Sequence, residues 1–364
     1  MKKRIVGIIL SGLMVLVFSS CGNNPSTSSE TDTGSAAVST VSNSVTSTNS
    51  SFGSSGKTNS TSVNSEEKVI SSSTTASDPS SADGKKIGVL MKTMSDTYSN
   101  KLGEAIQDYA AKTYPRAELL LMDGQADIAK QISQAEDLIA KGVDIIILNP
   151  QDADGSAQVL DLASDANVPV VEVNTETTRT DYASFVGSDD TEAGEIMGKY
   201  VDEKMNGEGQ YAILEGEMGQ SAQLLRYQGL ENTILKDSNL QCVATLSANW
   251  SRDEAMQTTE DWLGQYPDLK AIICENDDMS MGALQASEAE GKDLILIGTD
   301  AIPDALQAIK DGRLDATVLQ DANSQASTAI DVAVKIINGE KVDSRYQIPF
   351  QLITAENVDE YLNK

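Results

Sequence analysis

From residue 85 onward the chain alternates short, unbroken apolar runs with longer stretches whose apolar positions recur at helical spacing. Strands are predicted over 86–91 (KIGVLM), 118–122, 144–148, 169–173, 211–214, 242–246, 271–274, 294–297 and 316–319. Helices fall between and after them at 98–112, 128–140, 156–166, 192–205, 222–235, 253–263, 279–290, 303–310 and 326–337. Runs that are apolar throughout, rather than at every second residue, belong to strands covered on both faces, which is the situation of a parallel sheet between helical layers. The scheme runs through twice, so the expected fold class is α/β, with two doubly wound parallel-sheet lobes.

The first 84 residues lack this pattern. Lys2, Lys3 and Arg4 precede an apolar stretch from Ile5 to Phe18 that is short for a membrane span and correctly flanked for a secretory signal. It ends in Ser19-Ser20-Cys21-Gly22, which resembles a bacterial lipobox, so residues 1–21 are read as a lipoprotein signal peptide with Cys21 as the lipidated residue. An ordinary cleaved signal that happens to contain a cysteine is the plain alternative, and Phe18, where leucine is commoner, is the departure. About half of residues 22–81 are Ser or Thr, and apolar area there is too small to offset the entropy of ordering. Residues 22–84 are therefore expected to be a disordered tether, with a reach on the order of 40 Å for a sixty-residue coil.

Charge and composition narrow the chemistry. The chain has 27 Lys+Arg against 55 Asp+Glu, a formal charge of −28, which a nucleic-acid backbone or an anionic membrane surface would repel. The +3 of the signal cancels the −3 of the tether, so the whole excess belongs to the region from residue 82 on. Histidine is absent, which excludes Ser/His/Asp and Cys/His catalysis and any histidine-bearing zinc site. No metal and no cofactor is expected. After Cys21 only Cys242 and Cys274 remain. The first strand of the second sheet should lie between theirs, so two buried free thiols are expected rather than a disulfide.

Open parallel sheets bind ligands beyond the carboxyl ends of their strands. Reading those exits gives Ser95 to Tyr98, Asn149 to Asp152, Asn174 to Glu176, Gly216 to Ser221, Asn249 to Ser251, Glu275 to Asp278, Thr299-Asp300 and Gln320-Asp321. The set is rich in uncharged polar and acidic groups and holds two aromatics, Tyr98 and Trp250. It has neither a glycine-rich phosphate cradle nor a nucleophile beside a base. Fixed donors and acceptors with flat apolar faces suit a neutral polyhydroxylated ligand such as a sugar. Each residue also has a plainer reading. Asp96, Asp277 and Asp278 precede helices, where a carboxylate caps free N–H groups, and Asp277 and Asp278 are assigned to that role. Trp262 sits at core spacing on a helix, Arg226 reads by itself as a solvated helix cation, and nothing local buries Trp250.

The runs KIGVLMKTMSDTYS, ILNPQDADG, VPVVEVNTE, GEMGQSAQLLRYQGL, AIICENDDMSMGAL, ILIGTDAIPDALQAI and GRLDATVLQ together resemble the type I solute-binding proteins of sugar ABC transporters, in the ribose and galactose/glucose branch. The resemblance implies two lobes joined by a three-segment hinge, 85–188 plus 321–348 and 189–320 plus 349–364, with a sugar held between them. Matched to the family's motifs, Asp96 and Tyr98 fall at the first-loop polar and aromatic positions and Asn174 at the polar position after PVVEV. Arg226 matches the arginine of the R-x-x-G turn, Trp250 the second-lobe stacking aromatic, Asn276 the asparagine of the ND-x-M-x-x-G-A run, Asp300 the G-x-D aspartate and Gln320 the hinge-side amide. Gln220 falls where galactose/glucose binders have a histidine. Ribose binders have Asp-Arg at Asn174-Thr175 and phenylalanine at Ser99 and Thr299, which implies a roomier pocket here, for a hexose or a cyclic polyol. The galactose/glucose calcium loop has no acidic counterpart.

The resemblance implies a monomeric extracytoplasmic lipoprotein, held to the membrane through its lipid alone, that delivers a monosaccharide or cyclic polyol to an ABC transporter permease. Presentation of the ligand to a chemoreceptor or sensor kinase is the alternative within the class. A glycoside-processing enzyme using two of Asp96, Asp300, Asp277 and Glu275 is the rival from another class. A repressor of the same fold would need a DNA-binding module where this chain has its lipobox and tether.

Overall fold

The computed structural model describes residues 78–236 and 239–362; the signal, Cys21 and the tether up to residue 77 lie outside them. The first sheet is built from β1 (Lys86–Met91), β2 (Glu118–Asp123), β3 (Ile145–Leu148), β4 (Val170–Val173) and β5 (Ser184–Gly187). The helices α1 (Thr97–Thr113), α2 (Ile128–Ala140) and α3 (Gln158–Asp165) alternate with the first four strands. The second sheet follows as α4 (Asp190–Met205), β6 (Gly209–Glu215), α5 (Ser221–Asn232), β7 (Leu240–Ser247), α6 (Arg252–Gln265), β8 (Leu269–Cys274), α7 (Asp277–Ala289), β9 (Ile295–Thr299), α8 (Pro303–Lys310) and β10 (Ala316–Leu319). The chain then returns to the first lobe for α9 (Ala322–Ile337) and β11 (Arg345–Gln347), and ends in the second with β12 (Gln351–Thr354).

The strand orders are β11-β5-β4-β3-β1-β2 and β12-β10-β9-β8-β6-β7, the same doubly wound arrangement twice. Every pairing is parallel except β10 with β12. Each sheet is buried on both faces. In the first lobe Ile87, Val89 and Met91 meet α1 and α9, while Leu90 points the other way onto Leu138 of α2 and Val159 of α3. In the second, Tyr211 and Ile213 face α4 and α5, and Ala212 and Leu214 face the layer of α6 to α8. The winding reverses between β1 and β3 in one sheet and between β6 and β8 in the other, and these reversals open the crevices where such folds hold ligands.

Three differences from the sequence reading have local causes. The strands β5, β11 and β12 were not expected: at three or four residues each they carry too little pattern to register, and pairing with β4, β5 and β10 is what defines them. The expected tether to Gly84 is corrected at its end. Pro79–Ala82 forms a 3-10 turn capped by Asp78, and Ala82 is buried in the first lobe's core. Cys242 is half-buried rather than buried; both thiols are free, with β6 between their strands.

Candidate functional site

The strand exits of the two sheets face one another across a cleft that is shut in this structure. Five hydrogen bonds join its walls: Lys92 Nζ to Gln220 Oε1 (2.8 Å), Gln151 Nε2 to Glu217 Oε2 (2.9 Å), Glu176 N to Ser221 Oγ (2.9 Å), Ala153 N to the Gly219 carbonyl (3.0 Å) and Thr97 N to Asp278 Oδ2 (3.4 Å). Inside lies a cavity of only about 20 Å³, room for roughly one water in this closed arrangement, so a ring-sized ligand requires the walls to part. Asp96, Tyr98 and Asn174 line it from the first lobe, Arg226, Trp250, Asn276 and Asp300 from the second, and Gln320 from the segment that crosses between them. Eight of the nine residues singled out from the sequence thus share one cavity. Gln220 stands instead at the adjoining chamber nearer the cleft mouth.

Each side chain is placed by its element. Asp96 caps α1 by accepting from Ser99 N (2.7 Å), so its carboxylate is fixed at the cavity wall. Tyr98 follows in the first turn of that helix, buried, with no partner for its hydroxyl. Burial and then the neighbouring Asp300 carboxylate raise its pKa well above the usual phenol range. Arg226 reaches the cavity because α4 and α5 touch backbone to backbone: a Cβ at Gly194 would strike the Arg226 carbonyl. Its Nε donates to Asp190 Oδ1 (2.9 Å), Nη1 to the Glu275 carbonyl and Nη2 to Gln320 Oε1 (3.4 Å). Burial works against its charge, and Asp190, Asp300 and Glu275 outweigh that and hold the guanidinium pKa high. Gln320 is left with Nε2 buried and unpartnered.

Trp250 is held by three features. Its backbone is left-handed (φ 60°), its Nε1 donates to Gln220 Oε1 (3.1 Å), and a Cβ at Gly216 would collide with its ring, so glycine is what lets the indole lie flat on β6's exit. Lys92 Nζ and the Arg226 guanidinium lie 5.5 and 5.7 Å from the ring centroid. Asn174 (φ 68°) and Asp300 (φ 128°) also have positive φ. Such backbone costs energy in a non-glycine residue and tends to gather where function requires it.

The assignment of Asp277 and Asp278 to capping is corrected. Asn276 is the cap of α7, its Oδ1 accepting from Met279 N (3.0 Å), while its Nδ2 donates to the Trp250 carbonyl (3.4 Å). Asp277 turns inward to Thr317 Oγ1 (2.8 Å) and Ile302 N (3.0 Å), and burial lifts its carboxyl to about 7. Asp278 pairs with Arg252 (2.8 Å) and accepts from Thr97 across the cleft. Arg226 is buried in the site, not solvated as its helix position suggested alone.

Sequence reasoning missed Lys92. It is buried, lines both chambers and reaches across the cleft, and burial lowers its pKa against the pull of Asp96 and Asp300. The available signal was a cation directly at the end of the apolar run of β1, three residues before the loop that drew attention. Among the described residues no group of three or more His, Cys, Asp or Glu is arranged to hold a metal ion.

A family model described as a periplasmic binding protein domain matches residues 87–341, and the chain belongs to that family. It is an extracytoplasmic class of binding proteins of the type I fold, with two parallel-sheet lobes. A solved ABC transporter solute binding protein from Bacillus halodurans C-125 with bound myo-inositol is 37% identical, with a TM-score of 0.74, over 78% of this chain and 98% of that one. The ribose import binding protein of Bacillus subtilis is 33% identical over 76% of this chain and 91% of its own. A Caulobacter myo-inositol binding protein, solved with myo-inositol, is 28% identical with a TM-score of 0.72, over 76% and 95%.

Proposed function

We propose that this protein captures a neutral cyclic polyol or monosaccharide, with myo-inositol the leading candidate, between its lobes and hands it unaltered to an ABC transporter permease. The observation that carries the reading is the meeting of eight polar and aromatic side chains from both sheets in one cavity, where Tyr98 Oη and Gln320 Nε2 have no protein partner. A buried polar group without a partner is costly, and a ring hydroxyl supplies one. Asp96 and Asp300 accept from hydroxyls, Arg226 donates, and Asn174 and Asn276 do both, while Tyr98 and Trp250 offer flat faces to C–H surfaces. Bonds to charged groups of this kind contribute about 1.5–3 kcal/mol each. Only closure assembles the set, so ligand shifts the hinge by its differential affinity for the closed form, which the permease reads. Cys21 anchors the chain through its lipid. The hydrolase alternative loses two of its carboxylates: Asp277 is engaged with Thr317, and Glu275 accepts from Gly216 N (2.7 Å) behind the Arg226 side chain.

Calorimetric titration with myo-inositol, xylitol, ribose and galactose tests the reading. One ring ligand should bind without turnover, and Trp250→Ala and Arg226→Ala should each weaken it at least thirtyfold. Unaltered affinity in both variants would refute the site. Radiolabelled-lipid incorporation into the wild type but not Cys21→Ser checks the anchor.

A further inference from the structure

Beside the inner cavity the cleft widens into a second chamber of about 370 Å³, and the two share Lys92, Asp96 and Trp250 in their walls. Lys92 stands at the junction with only 7% of its surface exposed. An ammonium carries three donors; here Gln220 Oε1 takes one, the Trp250 ring covers another side, and among the described residues no carboxylate lies within ion-pairing distance. The rest of the wall is hydroxyl and amide, from Thr93, Ser95, Thr97 and Asn249. Its acids, Asp96, Glu217, Asp253 and Asp278, outnumber its cations, Lys92 and Arg252, and Arg252 is already tied to Asp278 (2.8 Å) and Asp304 (3.0 Å). A phosphate or carboxylate would be repelled there, whereas a neutral hydroxylated group meets donors and acceptors on every side.

The geometry points to a second subsite: the outer chamber takes a hydroxylated ring joined through oxygen to the ring in the inner cavity, and Lys92 donates to the bridging oxygen. The ligand class then extends from free polyols to their neutral glycosides. This rests on the polyol reading of the inner cavity. The experiment compares myo-inositol, a galactosyl-myo-inositol and myo-inositol 1-phosphate by calorimetry on the full-length chain. The glycoside should bind within tenfold of myo-inositol and the phosphate at least a hundredfold more weakly. Ala126→Trp, an exposed wall position of the outer chamber, should cost the glycoside at least thirtyfold while myo-inositol changes less than threefold. If myo-inositol binds and the glycoside is a hundredfold weaker, or if the phosphate matches the glycoside, the subsite is overturned and the inner reading stands. If Ala126→Trp weakens both ligands alike, the subsite is also overturned. If none of the three binds, the polyol reading falls and takes the subsite with it.

Discussion

The two walls of the cleft are built on the same strand order, yet they hold their side chains differently. In the second lobe the cavity-lining groups are braced by side chains and by one another: Arg226 by Asp190, Trp250 by Gln220, and Asn276 to the Trp250 carbonyl. In the first lobe Asp96 is braced by backbone, through its cap, and Asn174 only by a long bond from Asn149 Nδ2 (3.4 Å), while the Tyr98 hydroxyl meets no protein group. One wall is a pre-set surface whose parts depend on each other; the other keeps an unfilled polar group for what arrives. Preorganised groups lose little entropy on binding, and unfilled ones supply the gain.

Breaking the charge pair of the second wall should have the largest effect. Arg226→Met leaves Asp190 buried without its partner, a loss of about 3–5 kcal/mol in chemical denaturation. Adding Asp190→Leu should recover much of it; if it does not, the pair is not what braces this wall.

The first wall has its own buried carboxyl on β4, two residues before Asn174. Glu172 is buried and bonded to Thr177 N (3.0 Å) and Oγ1 (2.8 Å), and burial lifts its carboxyl from 4.5 to about 7 despite those bonds. Because the folded form holds the proton more tightly than the unfolded chain does, stability from this group is complete below about 4.5. It declines as pH rises toward 7, by about 3 kcal/mol. Glu172→Gln should flatten that decline, so the variant gains on the wild type at pH 7.5 and not at pH 4.5. Parallel melting curves at both values would exclude the effect.

Gly216→Ala intrudes on the indole without removing any ligand contact. Ligand affinity should fall about tenfold, roughly 1.4 kcal/mol, with the far-ultraviolet spectrum unchanged. An unchanged dissociation constant would mean that Trp250 does not need its seat on β6.

Tyr98→Phe gives the smallest and most discriminating result. Since its hydroxyl has no protein partner, removing it should leave the unliganded melting temperature unchanged or slightly higher, while affinity drops about fivefold, about 1 kcal/mol. A fall in stability would show that the first wall is internally braced after all, and the contrast between the lobes would fail.

Local sequence was enough for the alternation of strands and helices and for the exits that carry the site, because burial on both faces writes itself into unbroken apolar runs such as IIIL and AIIC. Cap chemistry was legible in kind and misplaced in detail. Asp96 caps its helix, but at Glu275 to Asp278 any of several polar residues satisfies the local rule, and it took Thr317 and Arg252, brought from distant positions, to claim the two aspartates and leave Asn276 as the cap. Lys92 and the short strands β5, β11 and β12 were beyond local reading for the same reason: a lysine after an apolar run looks like a solvated end until a second lobe closes over it, and three residues form a strand only when a partner strand is there. Propensity and periodicity act over a few residues. Which polar group is buried, paired or left unpartnered is decided by contacts between residues tens of positions apart, such as Asp277 with Thr317, or more than a hundred, such as Lys92 with Gln220, and those exist only once the sheets are assembled and face each other.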